Sequence, residues 1–271
     1  MLNNDNFEAL INSDDSIYHY TTMQKGLECI LYNGILKLSI IRRTDDPQEY
    51  NTWMIRLVGW SIPDTVVNSD YPYTKTAVNN IIKNKSFIIC FCTNEDVKIK
   101  DEYDEVAERK QLGYFKSKMW SQYGDHHKGI CLVFSKKSLL KEVLAKYPNA
   151  KYSMVDYSYF DGLDPAAITL DSSRLTSNYS EAALKHIESN LNKIFFTKNF
   201  DYKDESEFRI VVVDPIDTNE FKEISIKKCL KGIILGDNLP DSYLAAFKMY
   251  KRKYSIKKLK WDNGRYLPLK V

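Results

Sequence analysis

The stretch Ser16-Ile17-Tyr18-His19-Tyr20-Thr21 reads as a short buried strand. It runs into a segment where Leu27, Ile30 and Leu31 recur at the i, i+3, i+4 spacing of an amphipathic helix. Thr21 or Thr22 is the expected N-cap, and Asn33-Gly34 the expected stop. Further strands are expected at residues 35–39, 86–92, 130–134, 151–157, 210–213, 221–226, 230–235 and 255–260. There, alternating or continuous apolar positions are bounded by polar punctuation. Asp46 before Pro47 is a good helix start, and the pattern extends that helix toward Trp60 with Trp53, Met54 and Leu57 on one side. Other helices are expected at 74–83, 136–147, 180–198 and 239–253, with a short one carrying Trp120 and Tyr123 at i, i+3. Residues 1–15 read as a polar lead-in, 61–73 and 158–178 as loops, and the charged stretch 97–114 as a loop or an exposed helix. Strands scattered among helices without a strict βαβ rhythm predict an α+β fold. No repeat or composition break divides residues 1–271, so one elaborated domain is expected.

Composition narrows the function classes. The chain has 44% hydrophobic and 13% aromatic residues, enough for a packed core. Lys and Arg total 39 against 36 Asp and Glu, a balance that argues against a protein whose main work is coating nucleic acid. Lysines gather in the last third at Lys248, Lys251, Arg252, Lys253, Lys257, Lys258 and Lys260, which reads as a solvated face. Five cysteines with apolar neighbours and no signal peptide fit a reducing cytoplasm, and no run is long enough to span a bilayer. Cys90 and Cys92 share one strand face and lack zinc-site spacing, so no metal is expected.

The chemistry-bearing candidates are few. His19 lies between two tyrosines beside a helix start and reads either as a satisfied core residue or as a functional group. His126 and His127 read as surface residues in a turn, and His186 has no assigned role. Glu205 and Glu207, at i, i+2 in an extended segment, would project to one side, where each carboxylate can raise the pKa of the other. The alternative is a solvated strand entrance with Arg209 as salt-bridge partner. Glu-x-Arg before a Val-rich strand fits a metal-dependent nuclease site poorly, because that site wants a Lys after the Glu and a preceding Asp for the metal. There is no phosphate-cradling Gly-rich loop, Gly-x-Ser-x-Gly elbow or His-Glu-x-x-His helix.

Several stretches in order resemble a bacterial family catalogued as domain of unknown function 2971. They are Tyr18-His19-Tyr20-Thr21 with Gly34, Asp45-Asp46-Pro47-Gln48-Glu49, Cys90-Phe91-Cys92, Met119-Trp120-Ser121-Gln122-Tyr123-Gly124, Lys128-Gly129-Ile130-Cys131, and Lys198 followed by Asp204 to Arg209. Together they span about residues 17–236. The chain departs from the family's pattern at Asp45, Cys92 and Tyr202. The opening motif and the late glutamate also resemble the DNA-targeting toxin branch of ADP-ribosyltransferases. That resemblance implies a mixed, split central sheet flanked by helices, with NAD as substrate. It also implies a toxin or phage-defence role and a nucleic-acid or protein acceptor. By the same resemblance His19 would contact the NAD ribose and amide. Glu207 would hydrogen-bond the nicotinamide ribose 2′-OH as the glycosidic bond breaks. Tyr20, Thr21, Trp120, Tyr123, Glu205 and Arg209 would complete the pocket, the aromatics also serving as core. The expected activity is ADP-ribosyl transfer or NAD hydrolysis. A metal-dependent nuclease and a catalytically silent binding module are the alternatives.

Overall fold

The computed structural model describes residues 4–95, 111–158, 163–263 and 265–271. Of the charged stretch 97–114, expected as a loop or an exposed helix, residues 97–110 lie outside them. The strands are β1 Ser16–Thr21, β2 Ile35–Ile40, β3 Arg56–Val58, β4 Ser86–Thr93, β5 Ile130–Ser135, β6 Lys151–Met154, β7 Asp156–Ser158, β8 Thr169–Asp171, β9 Thr197–Asn199, β10 Glu207–Val213, β11 Phe221–Ser225, β12 Leu230–Leu235, β13 Ser255–Asp262 and β14 Arg265–Lys270. The helices used below are α1 Asn4–Ile11, α2 Pro47–Tyr50, α3 Tyr71–Asn84, α4 Ser117–Gln122, α5 Lys136–Lys146, α6 Tyr179–Ser189 and α7 Leu191–Phe195. The fold is α+β, built on one large mixed sheet with the order β11-β2-β4-β1-β5-β12-β13-β14; β10 pairs with β4 and also with β6. Among the described residues only β12–β13 is parallel within it.

β4 is the strand on which the sheet divides. One edge carries β10 along the whole ladder from Glu207↔Cys92 to Val213↔Ser86. The other edge is shared: β1 pairs only at Ile17↔Thr93 and Tyr18↔Cys92, and β2 only at Ser39↔Ile88 and Ile40↔Phe87. β1 and β2 therefore part between these contacts, and a wide π-helical turn, Lys25–Leu31, links them. The continuous apolar character of β4, β5 and β10 follows from cover on both faces.

Alternation along the strands assigns each side chain to a face. One face carries Ile17, Phe91, Leu132, Phe134, Phe208 and Ile210, packed under Leu139 and Val143 of α5. The opposite face carries two separate clusters. Tyr18, Tyr20, Cys92 and Cys131 pack with Phe7 of α1, Trp120 of α4 and Tyr266 of β14. Ile88 and Val211 pack with α3, α6 and α7.

Several elements differ from the sequence expectation. The helix begun at Pro47 ends at Tyr50, so it does not reach Trp60. Trp53 leaves the helix to become buried, with its N–H held by Asn79 Oδ1 at 2.7 Å, and Arg56–Val58 forms β3 against β8. The expected loop 61–73 is largely helical: Pro63 precedes a turn that leads through a π segment into α3. The expected helix 180–198 breaks at Asn190 and gives way to β9. The expected strand 151–157 divides into β6 and β7, which join different sheets. β14, unanticipated, pairs with β13 as a hairpin. All five cysteines are free. Among the described residues no helix is long and apolar enough to cross a membrane.

Candidate functional site

A buried ionic cluster occupies the seam between the two apolar clusters on one face of the sheet. Its position follows from register: Glu207 lies opposite Cys92, which belongs to the aromatic cluster, and Arg209 opposite Cys90, which borders the other. The Arg209 side chain is wholly buried and makes four polar contacts. Its Nε donates to Glu207 Oε1 at 2.6 Å, Nη2 to Glu207 Oε2 at 3.2 Å, and Nη1 to the Phe195 carbonyl at 2.8 Å. Nη2 also meets Glu49 Oε1 at 2.6 Å. Lys198, on β9, reaches Glu205 at 2.9 Å and Glu207 at 3.0 Å. Tyr123 donates its hydroxyl to Glu205 Oε1 at 3.0 Å. The Glu207 backbone N–H donates to the Tyr157 hydroxyl at 2.9 Å. Three carboxylates thus face two cations.

Local structure explains how these side chains converge. Asp46 accepts from the Gln48 N–H at 2.9 Å and starts α2, which presents Glu49. Lys83 of α3 holds that turn from behind: its Nζ donates to the Glu49 carbonyl at 2.6 Å and lies over the Trp53 ring at 4.4 Å. Burial pushes the Lys83 ammonium down to about 8. On the other side Glu205 ends a 3-10 turn, and Ser206 adopts a left-handed conformation with φ +42°. That corner is clamped. Lys116 Nζ donates to Glu95 at 2.5 Å, to the Asp204 carbonyl at 2.7 Å and to Ser206 Oγ at 2.5 Å, while the Thr93 N–H donates to the Ser206 carbonyl at 2.9 Å. A strained backbone held by this many contacts is a feature of functional sites.

The geometry corrects the expected carboxylate pair. Glu205 and Glu207 do not sit side by side on one extended strand, because Ser206 turns the chain between them. They meet instead through Lys198. Nor does one raise the other. Burial alone would raise the Glu207 carboxyl, but Arg209 and then Lys198 overrule it and hold the group well below the usual carboxylate range. Burial likewise opposes the charge on Lys198, and Glu207 and Glu49 outweigh it. Asp46 goes the other way, raised by burial and then by Glu49.

Six of the eight residues expected in the site share this face: Tyr20, Trp120, Tyr123, Glu205, Glu207 and Arg209. Two of those are core residues. Tyr20 donates to the Gly113 carbonyl at 2.7 Å, Trp120 donates to the Tyr114 carbonyl at 2.8 Å, and the two rings meet edge to face at 5.0 Å. His19 and Thr21 project from the opposite face. His19 pairs with Leu132 and lies 5.6 Å from the Phe91 ring, both residues of the large cluster under α5. Its Nδ1 donates to the Cys90 carbonyl at 3.1 Å, where the β1–β4 ladder has ended. The expectation that His19 and Glu207 line one cleft is therefore not met: the sheet lies between them. Burial lowers the His19 pKa, so the ring is neutral at physiological pH. His127, expected at the surface, stacks on Trp120 and hydrogen-bonds the Tyr266 hydroxyl at 3.0 Å.

Glu49, Lys198, Tyr157 and Lys83 had no assigned role in the sequence reading. Glu49 and Lys198 lay inside the motif stretches, which is the one signal that could have found them. Tyr157 and Lys83 carried no such signal. Among the described residues no group of three or more His, Cys, Asp or Glu is placed to hold a metal ion.

Residues 119–210 match the model of a family described as a protein of unknown function (DUF2971). The match is narrower than the expected span of 17–236. It leaves out the His19 strand and the Asp46–Glu49 turn, while holding Trp120, Tyr123, Lys198, Glu205, Glu207 and Arg209. No curated protein and no solved structure matches the chain, so the likeness to ADP-ribosyltransferases rests on the sequence motifs alone.

Proposed function

We propose that the ionic cluster is the NAD site of an ADP-ribosyltransferase or NAD glycohydrolase. The observation that carries this reading is the fixed excess of negative charge, three ionisable carboxylates around two cations, with Glu207 held ionised by Arg209 and Lys198. Departure of nicotinamide leaves an oxocarbenium-like ribose. Carboxylates already oriented stabilise that charge more in the transition state than in the ground state, with no reorganisation at the moment of bond breaking. In this reading Glu207 contacts the nicotinamide ribose 2′-OH, and Arg209 and Lys198 fix its orientation. Glu205, set by Tyr123, adds negative charge. Tyr123 and Tyr202, both partly exposed, offer ring faces to the nicotinamide. His19 has no place in this site and acts on β4 instead, through the Cys90 carbonyl.

The test is nicotinamide release from NAD, alone and with DNA, RNA or cell protein added as acceptor. The wild-type protein releases nicotinamide, and Glu207→Gln lowers the rate about 100-fold or more. A folded protein that neither releases nicotinamide nor binds NAD at millimolar concentration sinks the proposal. Release unchanged in Glu207→Gln sinks the assignment of Glu207. A second reading, a catalytically silent module, has its own support. Glu205, Glu207 and Arg209 are each at most 3% exposed and fully paired, as in a network that serves the fold alone. In that case the same variant loses stability and NAD changes nothing.

A further inference from the structure

We propose that a lysine-lined groove at the N-terminal ends of β12 and β13 binds the phosphate backbone of a single-stranded nucleic acid. β12 and β13 are parallel neighbours, paired from Gly232↔Ser255 onward, so the segments leading into them converge at one end of the sheet. Between them lies a half-open cavity of about 350 Å³, lined by Leu10, Lys227, Lys228, Leu230, Lys231, Lys253, Tyr254 and Ser255. No acidic residue lines it. All four lysines are exposed, and Lys228 meets Glu142 at 3.6 Å with its side chain still 81% accessible. The next turn of chain adds exposed Lys248, Lys251 and Arg252. Four of the chain's 39 Lys and Arg thus line one groove with no acidic residue in the lining, and that local excess is what an anion meets.

The occupant follows from shape and chemistry. A groove lined by lysines from both leading segments, with Leu10 and Leu230 among its apolar lining, suits a string of phosphates followed along its length. An anionic membrane would call for a convex or flat basic face with apolar side chains standing out of it. Tyr254 is only 7% exposed, which leaves little ring face for bases to stack on, so binding is through phosphates and independent of sequence. The groove also shares a sheet end with the ionic cluster. Successive antiparallel pairing of β10 with β4, β4 with β1, β1 with β5 and β5 with β12 puts Glu207 and Leu230 at the same end, four strand spacings or about 19 Å apart. The proposal does not depend on the NAD reading.

Fluorescence anisotropy of a labelled 20-nucleotide DNA or RNA, titrated with the full chain over a range of KCl concentrations, tests it. Binding is expected, and log K should fall against log salt with a slope near −3, at about −0.7 per neutralised phosphate for four contacts. Combined Lys227→Gln, Lys228→Gln, Lys231→Gln and Lys253→Gln substitutions should weaken binding at least tenfold and flatten the slope. They should leave the thermal midpoint in place, since all four side chains are exposed. Lys25→Gln, Lys128→Gln, Lys185→Gln and Lys193→Gln together, equal in charge but elsewhere on the surface, should weaken binding far less. Equal loss in the two quadruple variants overturns the proposal, as does binding to anionic phospholipid vesicles with none to the oligonucleotide.

Discussion

Arg209 fills a position that a sequence reader would give to an aliphatic side chain, two residues into a strand that continues Ile-Val-Val-Val. Its guanidinium fork takes both oxygens of Glu207 and still reaches Glu49, a geometry that lysine cannot copy. Arg209→Met leaves Glu49 and Glu207 buried with only Lys198 between them. The expected loss is about 3–5 kcal/mol in urea denaturation at neutral pH. Arg209→Lys should recover part of that loss. His19 carries a prediction of the same pH sense as that of Glu207, in a higher pH window. Glu207 is depressed in the fold, so its stabilisation is present above the ordinary carboxylate range and is lost only as pH falls below it. His19 is also depressed, but as a base. Below about pH 6.5 the unfolded chain takes the proton first, so stability falls as pH drops from 6.5. His19→Gln should make the stability profile between pH 5 and 7 shallower without flattening it, because His127 and His186 are lowered in the same way. Spacing made it legible that Arg209 would pair with the carboxylates before it, but not that the pair is buried or that Ser206 turns the chain so that Glu205 and Glu207 meet only through Lys198. Lys198 and Glu49 were not legible as partners, because spacing within one segment carries no information about which distant segment will be packed against it.

At the scale of elements, periodicity located strands better than it bounded helices. β4, β5 and β10 were legible because a strand covered on both faces is written as an unbroken apolar run. The helix begun at Asp46-Pro47 was legible at its start, where the cap has a local cause, and misread at its end. Trp53, Met54 and Leu57 fit a helical face, but Asn79 captures the backbone of Trp53 through both its amide atoms and withdraws it from the helix. That tertiary contact leaves no mark in the local pattern. The turn at 124–129 gives an element-scale test. A Cβ at Gly129 would lie 2.3 Å from the Thr21 carbonyl oxygen and 2.8 Å from that of Gly124, and backbone atoms cannot swing aside as a side chain can. Gly129→Ala should therefore cost about 1–3 kcal/mol, visible as a lowered thermal midpoint. The damage should reach β1, which shares the contact.

For the molecule as a whole, the decisive fact is a parity that no single segment displays. His19 and Glu207 are each polar groups in apolar strands, and each looks like half of a site. Only the register of β1, β4 and β10 shows that odd positions of β1 and odd positions of β10 face opposite sides of one sheet. The division of that sheet at β4 has an energetic consequence as well. β5 is bonded along both edges and buried on both faces, and β4 and β10 are bonded to each other along their whole ladder, so the amides in these ladders exchange only when the sheet opens. Among the described residues β3 pairs only with β8 and β7 only with β9, and β3 and β7 have partly exposed positions. Native-state hydrogen exchange should accordingly rank Ile89, Phe91, Cys131–Phe134 and Phe208–Val212 as the slowest group, all at one opening free energy, and the amides of β3, β7 and β8 as far faster. The amide of Glu207 is the informative case. It donates to the Tyr157 hydroxyl rather than to the β4 ladder, so Tyr157→Phe should speed its exchange while leaving Arg209 and Val211 protected. Unchanged exchange at Glu207 in that variant would mean that the corner is held by the Lys116 and Ser206 clamp alone, and that Tyr157 adds nothing to how the carboxylate is presented.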